Sequence, residues 1–332
     1  MKKLAAVMSA LALAATGCGA SSGDTAKKQV IFDTDWGPDV DDVGALAVLH
    51  ALADNGEVEV LGMAISYPGN QAATSLDAVN TFYGRPDIPI ASIDNSRPDP
   101  VAYRIAIADE FPNDVRPGEV EEPVALYRRL LATQPDKSVT IISVGFLTNL
   151  AALLQSEGDA VSPLTGPELV QRKVALYVQM GGRYPEQQPG DYNLRLDNAS
   201  SYAVITNWPT PILFSGGEIG EQIITGTERL RDATTPDNPV RRAYEIFNDF
   251  SGRFSWDQTA VLAGVRGPAP LWTVVDQGYF EYDPDGSYRW NSTPDKDHAF
   301  LLADTPVESV ADLIESLMAK PPGAPLAPEL QP

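Results

Sequence analysis

One cysteine and two histidines are all that the 332-residue chain contains of these types. A single cysteine cannot form an internal disulfide, so stability has to come from the core and from whatever the protein binds. His50 falls in a helical pattern and His298 beside Lys296 and Asp297, ahead of an apolar stretch, where a surface position is expected. Two isolated histidines support neither a zinc site nor a histidine-based triad. Basic residues are also scarce. With 24 Lys and Arg against 45 Asp and Glu, the formal net charge is -21. Such a chain is repelled by nucleic acid backbones and anionic lipid surfaces, and most of the excess reads as a solvated surface. The apolar run at residues 4–15 is too short to span a bilayer as a mature helix. No internal repeat and no domain linker is visible.

The remainder, 43% hydrophobic and 21% charged, has ordinary globular composition. At the N-terminus, Lys2 and Lys3 precede the apolar run, which ends in Ala15-Thr16-Gly17-Cys18. Small residues before the sole cysteine resemble a bacterial lipoprotein cleavage site. Residues 1–18 are therefore expected to be a signal peptide with Cys18 lipidated, and residues 19–28 a flexible tether. The protein is then exported and lipid-anchored to a bacterial membrane, facing the periplasm or exterior. Residues 29–320 read as a single α/β domain, and residues 321–332 as a Pro-rich tail without fixed structure.

Within the domain, apolar runs at 29–32, 58–65, 88–93, 138–144, 174–180 and 212–215 predict strands. Helical spacing covers 42–54, 71–83, 123–133, 148–155, 238–250 and 258–265, and residues 94–121 read as a Pro- and Asp-rich loop. Strands alternating with helices predict a mostly parallel open sheet flanked by helices, with the active site at the carboxyl ends of the strands. The first strand runs directly into Asp33, Asp35, Asp39, Asp41 and Asp42. Five carboxylates in one turn repel one another unless a cation sits among them, and oxygen ligands suit Ca²⁺ or Mg²⁺. Helix capping needs only one or two acids. An EF-hand is excluded by the absence of its glycine and terminal glutamate.

Other strand ends carry Asn70, the block Val144-Gly145-Phe146-Leu147-Thr148-Asn149, Met180-Gly181-Gly182, Asp191-Tyr192-Asn193 with Asp197, and Trp256-Asp257. Each motif is weak alone. Together, and in this order, they resemble the inosine–uridine preferring nucleoside hydrolase family. That resemblance implies a Ca²⁺-dependent hydrolase that cleaves a ribonucleoside, or a related N-riboside, to ribose and free base. It implies Asp35 as metal contact and general base toward water, with Asp42, the Val144 carbonyl and Asp257 as further ligands. Asp41, Asn70, Asp191 and Asn193 would hold the sugar, and Asp33 would support the cluster from behind; Trp256, outside the family pattern, could stack on the base or seal the pocket.

Three departures from the family pattern stand out. Pro38-Asp39-Val40 expands the aspartate motif, so that Asp39 is extra and could take the place of Asp41. Trp256 stands where the family has a histidine able to protonate the departing base. Asp191 replaces a glutamate. Two other functions compete with the hydrolase. One is a non-catalytic nucleoside- or sugar-binding lipoprotein. The other is a haloacid dehalogenase-type phosphatase, with Asp33 as nucleophile and Asp35 as acid/base. A homo-oligomer is compatible with each.

Overall fold

The computed structural model describes residues 27–331, apart from 95, 117–119, 186–190 and 294. The signal segment, Cys18 and residues 19–26 of the tether lie outside the described residues. Strands and helices alternate from the start: β1 (Lys28–Thr34), α1 (Asp41–Asp54), β2 (Val58–Ile65), α2 (Ala72–Phe82) and β3 (Ile90–Ser92). Helices α3 (Ala102–Glu110) and α4 (Pro123–Thr133) lead to β4 (Val139–Ser143). Helices α5 (Thr148–Gln155) and α6 (Gly166–Lys173) lead to β5 (Val174–Met180), and α7 (Tyr192–Leu196) and α8 (Asn198–Asn207) to β6 (Ile212–Ser215). There follow α9 (Gly217–Gly220), β7 (Ile224–Thr227), α10 (Glu228–Ala233), α11 (Pro239–Asn248), β8 (Ser251–Phe254) and α12 (Trp256–Arg266). The chain closes with β9 (Trp272–Val275), β10 (Tyr279–Tyr282), β11 (Tyr288–Asn291), β12 (His298–Ala303) and α13 (Val307–Met318).

Eight strands form one sheet in the order β3-β2-β1-β4-β5-β6-β12-β9. All neighbours are parallel except β9, which runs against β12. The mostly parallel sheet expected from the strand–helix alternation is therefore present. The β7–β8 and β10–β11 pairs are separate antiparallel ribbons. Alternation along β1 explains the layering. Val30 and Phe32 enter one apolar cluster and Ile31 the other, because successive strand side chains point to opposite faces. On the first face α1 packs against α12 and α13; on the second α4, α5, α6 and α8 pack together.

The chain order places the site. From β1 the chain proceeds outward to β2 and β3, then returns to lay β4 on the other side of β1. The connections at the carboxyl ends of β1 and β4 leave in opposite directions, which opens the crevice where α/β sheets bind ligands. Helix α1 starts at this crevice and is buried from Asp41 to Leu52. Gly44 lets α12 come close: a Cβ there would lie 2.3 Å from the Gln258 amide nitrogen and 2.5 Å from the Tyr244 hydroxyl.

Three expectations are corrected. Residues 94–121 are not all loop, since α3 lies within them and buries only Tyr103, Arg104 and Ile107. So narrow a buried stripe, holding an arginine, leaves little apolar periodicity to read. His298 is buried rather than at the surface; its Nδ1 accepts from the Phe280 N–H at 3.2 Å, and burial pushes its pKa down to about 3. The Pro-rich tail packs on the domain. Leu326 is buried, the Leu330 carbonyl accepts from Arg266, and the Gly323 N–H donates to Asp54. No helix among the described residues is long and apolar enough to cross a membrane.

Candidate active site

From Thr34, the last residue of β1, the turn Asp35-Trp36-Gly37 folds back over the start of α1. The Asp42 carboxylate pins this turn, accepting from the Thr34 hydroxyl, from the Trp36 N–H at 3.0 Å and from the Gly37 N–H at 3.4 Å. Trp36 has a positive φ of 48° and is held there by burial of its ring and an indole bond to Ser75 at 2.9 Å. Helix α3 holds the outside of the turn. Tyr103 donates to the carbonyls of Gly37 (2.7 Å) and Asp39 (2.9 Å), and Arg104 to that of Trp36 (2.8 Å). Neither residue was singled out in the sequence, because the helix carrying them was not recognised.

The turn gathers acids. Carboxylate oxygens of Asp41, Asp42 and Asp257 all lie within 4.8 Å of one another, and all three residues are buried. Asp257 arrives from the first turn of α12, which packs against α1. Asp35 lies against Asp42, beside this triangle rather than within it. Asp41, expected from the resemblance to hold the sugar, stands beside Asp42 and Asp257 in this triangle. Burial first, then mutual repulsion, raises the pKa of Asp35, Asp41 and Asp257 well above the usual carboxylate range. Burial pushes Asp42 up to about 6 against the donors that stabilise its charge. Such crowding fits a divalent cation, which would let these groups ionise together.

Asp33 sits behind the cluster, completely buried, and does not line the cavity. It accepts from Tyr127 (2.8 Å), Ser143 (3.2 Å) and Asn149 (2.9 Å), while burial still raises its pKa to about 7.

Strands β4 and β5 supply the opposite wall. Gly145 lies so close to β1 that a Cβ would meet the Asp35 backbone nitrogen at 2.2 Å. Val144, which precedes Gly145, lines the same cavity as the acids. Asn193 donates to the Val144 carbonyl at 2.9 Å and to that of Met180 at 3.3 Å. Its amide NH₂ is therefore engaged with the strand ends. A carbonyl has two lone pairs, so Val144 keeps one for a ligand. Asp191 caps α7 by accepting from the Leu194 N–H and also lines the cavity.

Asn70 stands apart from these residues. It does not line the cavity; its Oδ1 accepts from the Asp99 N–H at 3.1 Å. Asp99 in turn pairs with Arg104 at 2.8 Å, so Asn70 belongs to the loop network behind the turn. The extra aspartate lies on the rim. Asp39 is half-buried there and makes an ion pair with Arg253, which donates from Nε to both oxygens at 2.9 Å. Asp41 keeps its inward place. Arg253 was not singled out, since nothing marks it in the chain until β8 brings it to the rim. Trp256 lines the cavity, with its indole N–H donating to the Gly217 carbonyl at 3.0 Å.

These residues enclose a cavity of about 500 Å³, lined also by Arg183, Tyr192, Glu221 and Phe247. The carboxylate-lined cavity lies where the strand order reverses, the place where open α/β sheets bind their ligands. Residues 30–284 match the model of the inosine-uridine preferring nucleoside hydrolase family, and the chain belongs to that family. No protein of curated function matches the sequence. Three solved structures share the fold. A plant nucleoside hydrolase is 22% identical, with a TM-score of 0.66, covering 89% of this chain and 99% of its own. A purine-preferring ribonucleoside hydrolase from Gardnerella vaginalis is 21% identical, at 0.65, covering 88% and 98%. An inosine-uridine preferring nucleoside hydrolase from Bacillus anthracis is 17% identical, at 0.65, covering 88% and 99%.

Proposed function

We propose that the protein is a Ca²⁺-dependent hydrolase of ribonucleosides or a related N-riboside, releasing ribose and free base. The observation that carries this reading is the convergence of four buried carboxylates, Asp35, Asp41, Asp42 and Asp257, on one cavity. Asp41, Asp42 and Asp257, with the Val144 carbonyl, would hold the cation. Ca²⁺ is favoured over Mg²⁺ because it accepts six to eight oxygens, leaving room for sugar hydroxyls. When bound, the cation supplies positive charge that lets the carboxylates ionise and polarises an oxygen ligand.

The remaining chemistry belongs to the chain. Asp35 takes the proton of the attacking water; burial and the charges of Asp42 and Asp41 hold its pKa above the ordinary carboxylate range, which strengthens its hold on a proton. Breaking the N-glycosidic bond builds positive charge on the sugar, which the surrounding carboxylates stabilise. Asp191, lining the cavity near Asn193, would hold the sugar from the β5 side. The phosphatase reading loses its nucleophile, because Asp33 is buried and engaged by three donors. A panel of nucleosides, with and without chelator, tests the proposal. Metal-dependent release of reducing sugar supports it; ligand binding without release would indicate a receptor instead. Export and lipid anchoring through Cys18 are proposed from the N-terminal motif. Globomycin-sensitive labelling with a radioactive fatty acid, lost in Cys18→Ala, would support that anchor.

The carboxylates also predict a pH signature. Asp42 and Asp33, at about 6 and about 7, bind protons more tightly folded than unfolded. Their contribution is fully present below the unfolded carboxylate range near 4 and is lost as pH rises through 6 to 7. Bound cation favours ionised ligands and opposes the loss at the cluster. Adding Ca²⁺ to chelator-treated protein should raise Tm more at pH 8 than at pH 5, read by calorimetry. His50 and His298 titrate alike with and without Ca²⁺, so the difference isolates the acids. Equal shifts at both pH values would contradict the cluster as the binding site.

A further inference from the structure

Cleavage of an N-glycosidic bond separates charge: the sugar becomes positive and the departing base negative. The cavity is polarised in the same sense. Its floor carries Asp35, Asp41, Asp42 and Asp257, while one wall carries a cation against aromatic rings. That cation is Arg253. Its Cζ lies 4.8 Å from the centroid of Trp256 and 5.9 Å from that of Phe247, and both rings line the cavity. Asp39 engages Nε and Nη2 of Arg253, and Nη1 has no bond to a described residue. Trp256 is fixed by its indole bond to Gly217 and directly precedes Asp257 in the chain. The other cavity arginine, Arg183, commits both Nη atoms to Glu221.

We infer that Arg253, held in place by the inserted Asp39, is the leaving-group residue of this site, donating a hydrogen bond from Nη1 to an acceptor on the departing base. The inference rests on the nucleoside hydrolase reading above. The C1′–N bond breaks with its electron pair passing to the base nitrogen. Water oxygen bonds to C1′ and gives one proton to Asp35. The base leaves as an anion delocalised onto its ring acceptors, where Arg253 meets it, and then takes a proton from solvent; Asp35 returns its proton to solvent. Guanidinium stays protonated throughout, so it stabilises the charge without transferring a proton. A donor-only group at this position favours bases bearing an oxo acceptor, such as uracil or hypoxanthine. Asp39 acts as a positioning residue that fixes the direction of the guanidinium fork.

The test compares poor and good leaving groups on the same ribosyl site. Uridine and inosine need help at the base, whereas 4-nitrophenyl riboside releases a stable anion unaided. Arg253→Ala should lower kcat on the nucleosides by about 100-fold, while 4-nitrophenyl riboside changes by less than about threefold. Arg253→Lys, with charge but no fork, should fall between, and Asp39→Asn should move the ratio in the same direction by less. Calorimetry with free uracil should show affinity reduced about tenfold in Arg253→Ala, with ribose affinity unchanged. Parallel losses on both substrate types, or no loss on either, would overturn the assignment. So would unchanged uracil affinity. If the wild-type protein releases 4-nitrophenol but Arg253→Ala keeps the wild-type ratio, only this inference fails. If it releases neither base nor 4-nitrophenol, the hydrolase reading fails and the inference falls with it.

Discussion

Asp35→Asn is expected to lower kcat by about 10²–10⁴-fold, the usual contribution of a positioned general base. Asparagine keeps the shape of the side chain and removes its ability to take a proton. The structure argues that the fold tolerates this change. Asp35 is crowded by Asp42 and Asp41, so removing one charge relieves repulsion. Its carboxylate fills the space a Cβ on Gly37 would need, 2.4 Å away, and asparagine fills the same space. Melting temperature of the chelator-treated variant should therefore not fall. Because Asp35 lies beside the Asp41, Asp42 and Asp257 triangle, Ca²⁺ binding should survive in Asp35→Asn and be lost in Asp42→Ala. Near-native turnover in Asp35→Asn would show that another group takes the proton.

Arg104→Met should destabilise the protein by about 3–5 kcal/mol, as expected when one partner of a buried ion pair is removed. Arg104 is completely buried and bonds to three residues. Nε and Nη2 meet the Asp99 carboxylate at 2.9 and 2.8 Å, Nη1 the Trp36 carbonyl at 2.8 Å, and Nη2 also the Pro68 carbonyl at 3.2 Å. Methionine fills much of the volume but leaves Asp99 charged and two carbonyls without donors. The damage should reach the site, since the Trp36 carbonyl anchors the turn that Asp42 pins. Loss of such outer support typically weakens metal binding by about 10–100-fold. Urea midpoints would measure the stability loss, and calorimetric Ca²⁺ titration the second effect. A variant with unchanged midpoint and unchanged Ca²⁺ affinity would remove α3 from the account.

The two variants mark where the sequence was legible. Asp35 stands in a motif that physical chemistry makes conspicuous, because clustered acids demand an explanation. The strands around it are equally plain: β2, β5 and β6 are short, almost wholly apolar and bounded by polar turns. Arg104 is invisible by the same criteria. It sits on a helix whose buried face is three residues wide, and its partners lie 5, 36 and 68 positions away. Arg253 escaped for the same reason, its partner Asp39 being 214 positions distant. For Asn70 the resemblance implies a sugar contact, and the fold adds what the sequence does not display, a bond from the Asp99 N–H to its Oδ1 beside the Arg104–Asp99 pair. The aspartate insertion could be seen but not interpreted from sequence; only the rim position of Arg253 explains why Asp39 turns outward and Asp41 inward.

Buried carboxylates at the β1–β4 crevice are proposed to form a Ca²⁺ site on which N-riboside hydrolysis depends. The most direct test is to strip the protein with chelator and titrate Ca²⁺ while following both bound metal and release of ribose from uridine and inosine. The account predicts no release from stripped protein and turnover that rises with occupancy to a plateau at one Ca²⁺ per chain. Full turnover by stripped protein, or one tightly bound Ca²⁺ with no release from any nucleoside, would contradict it.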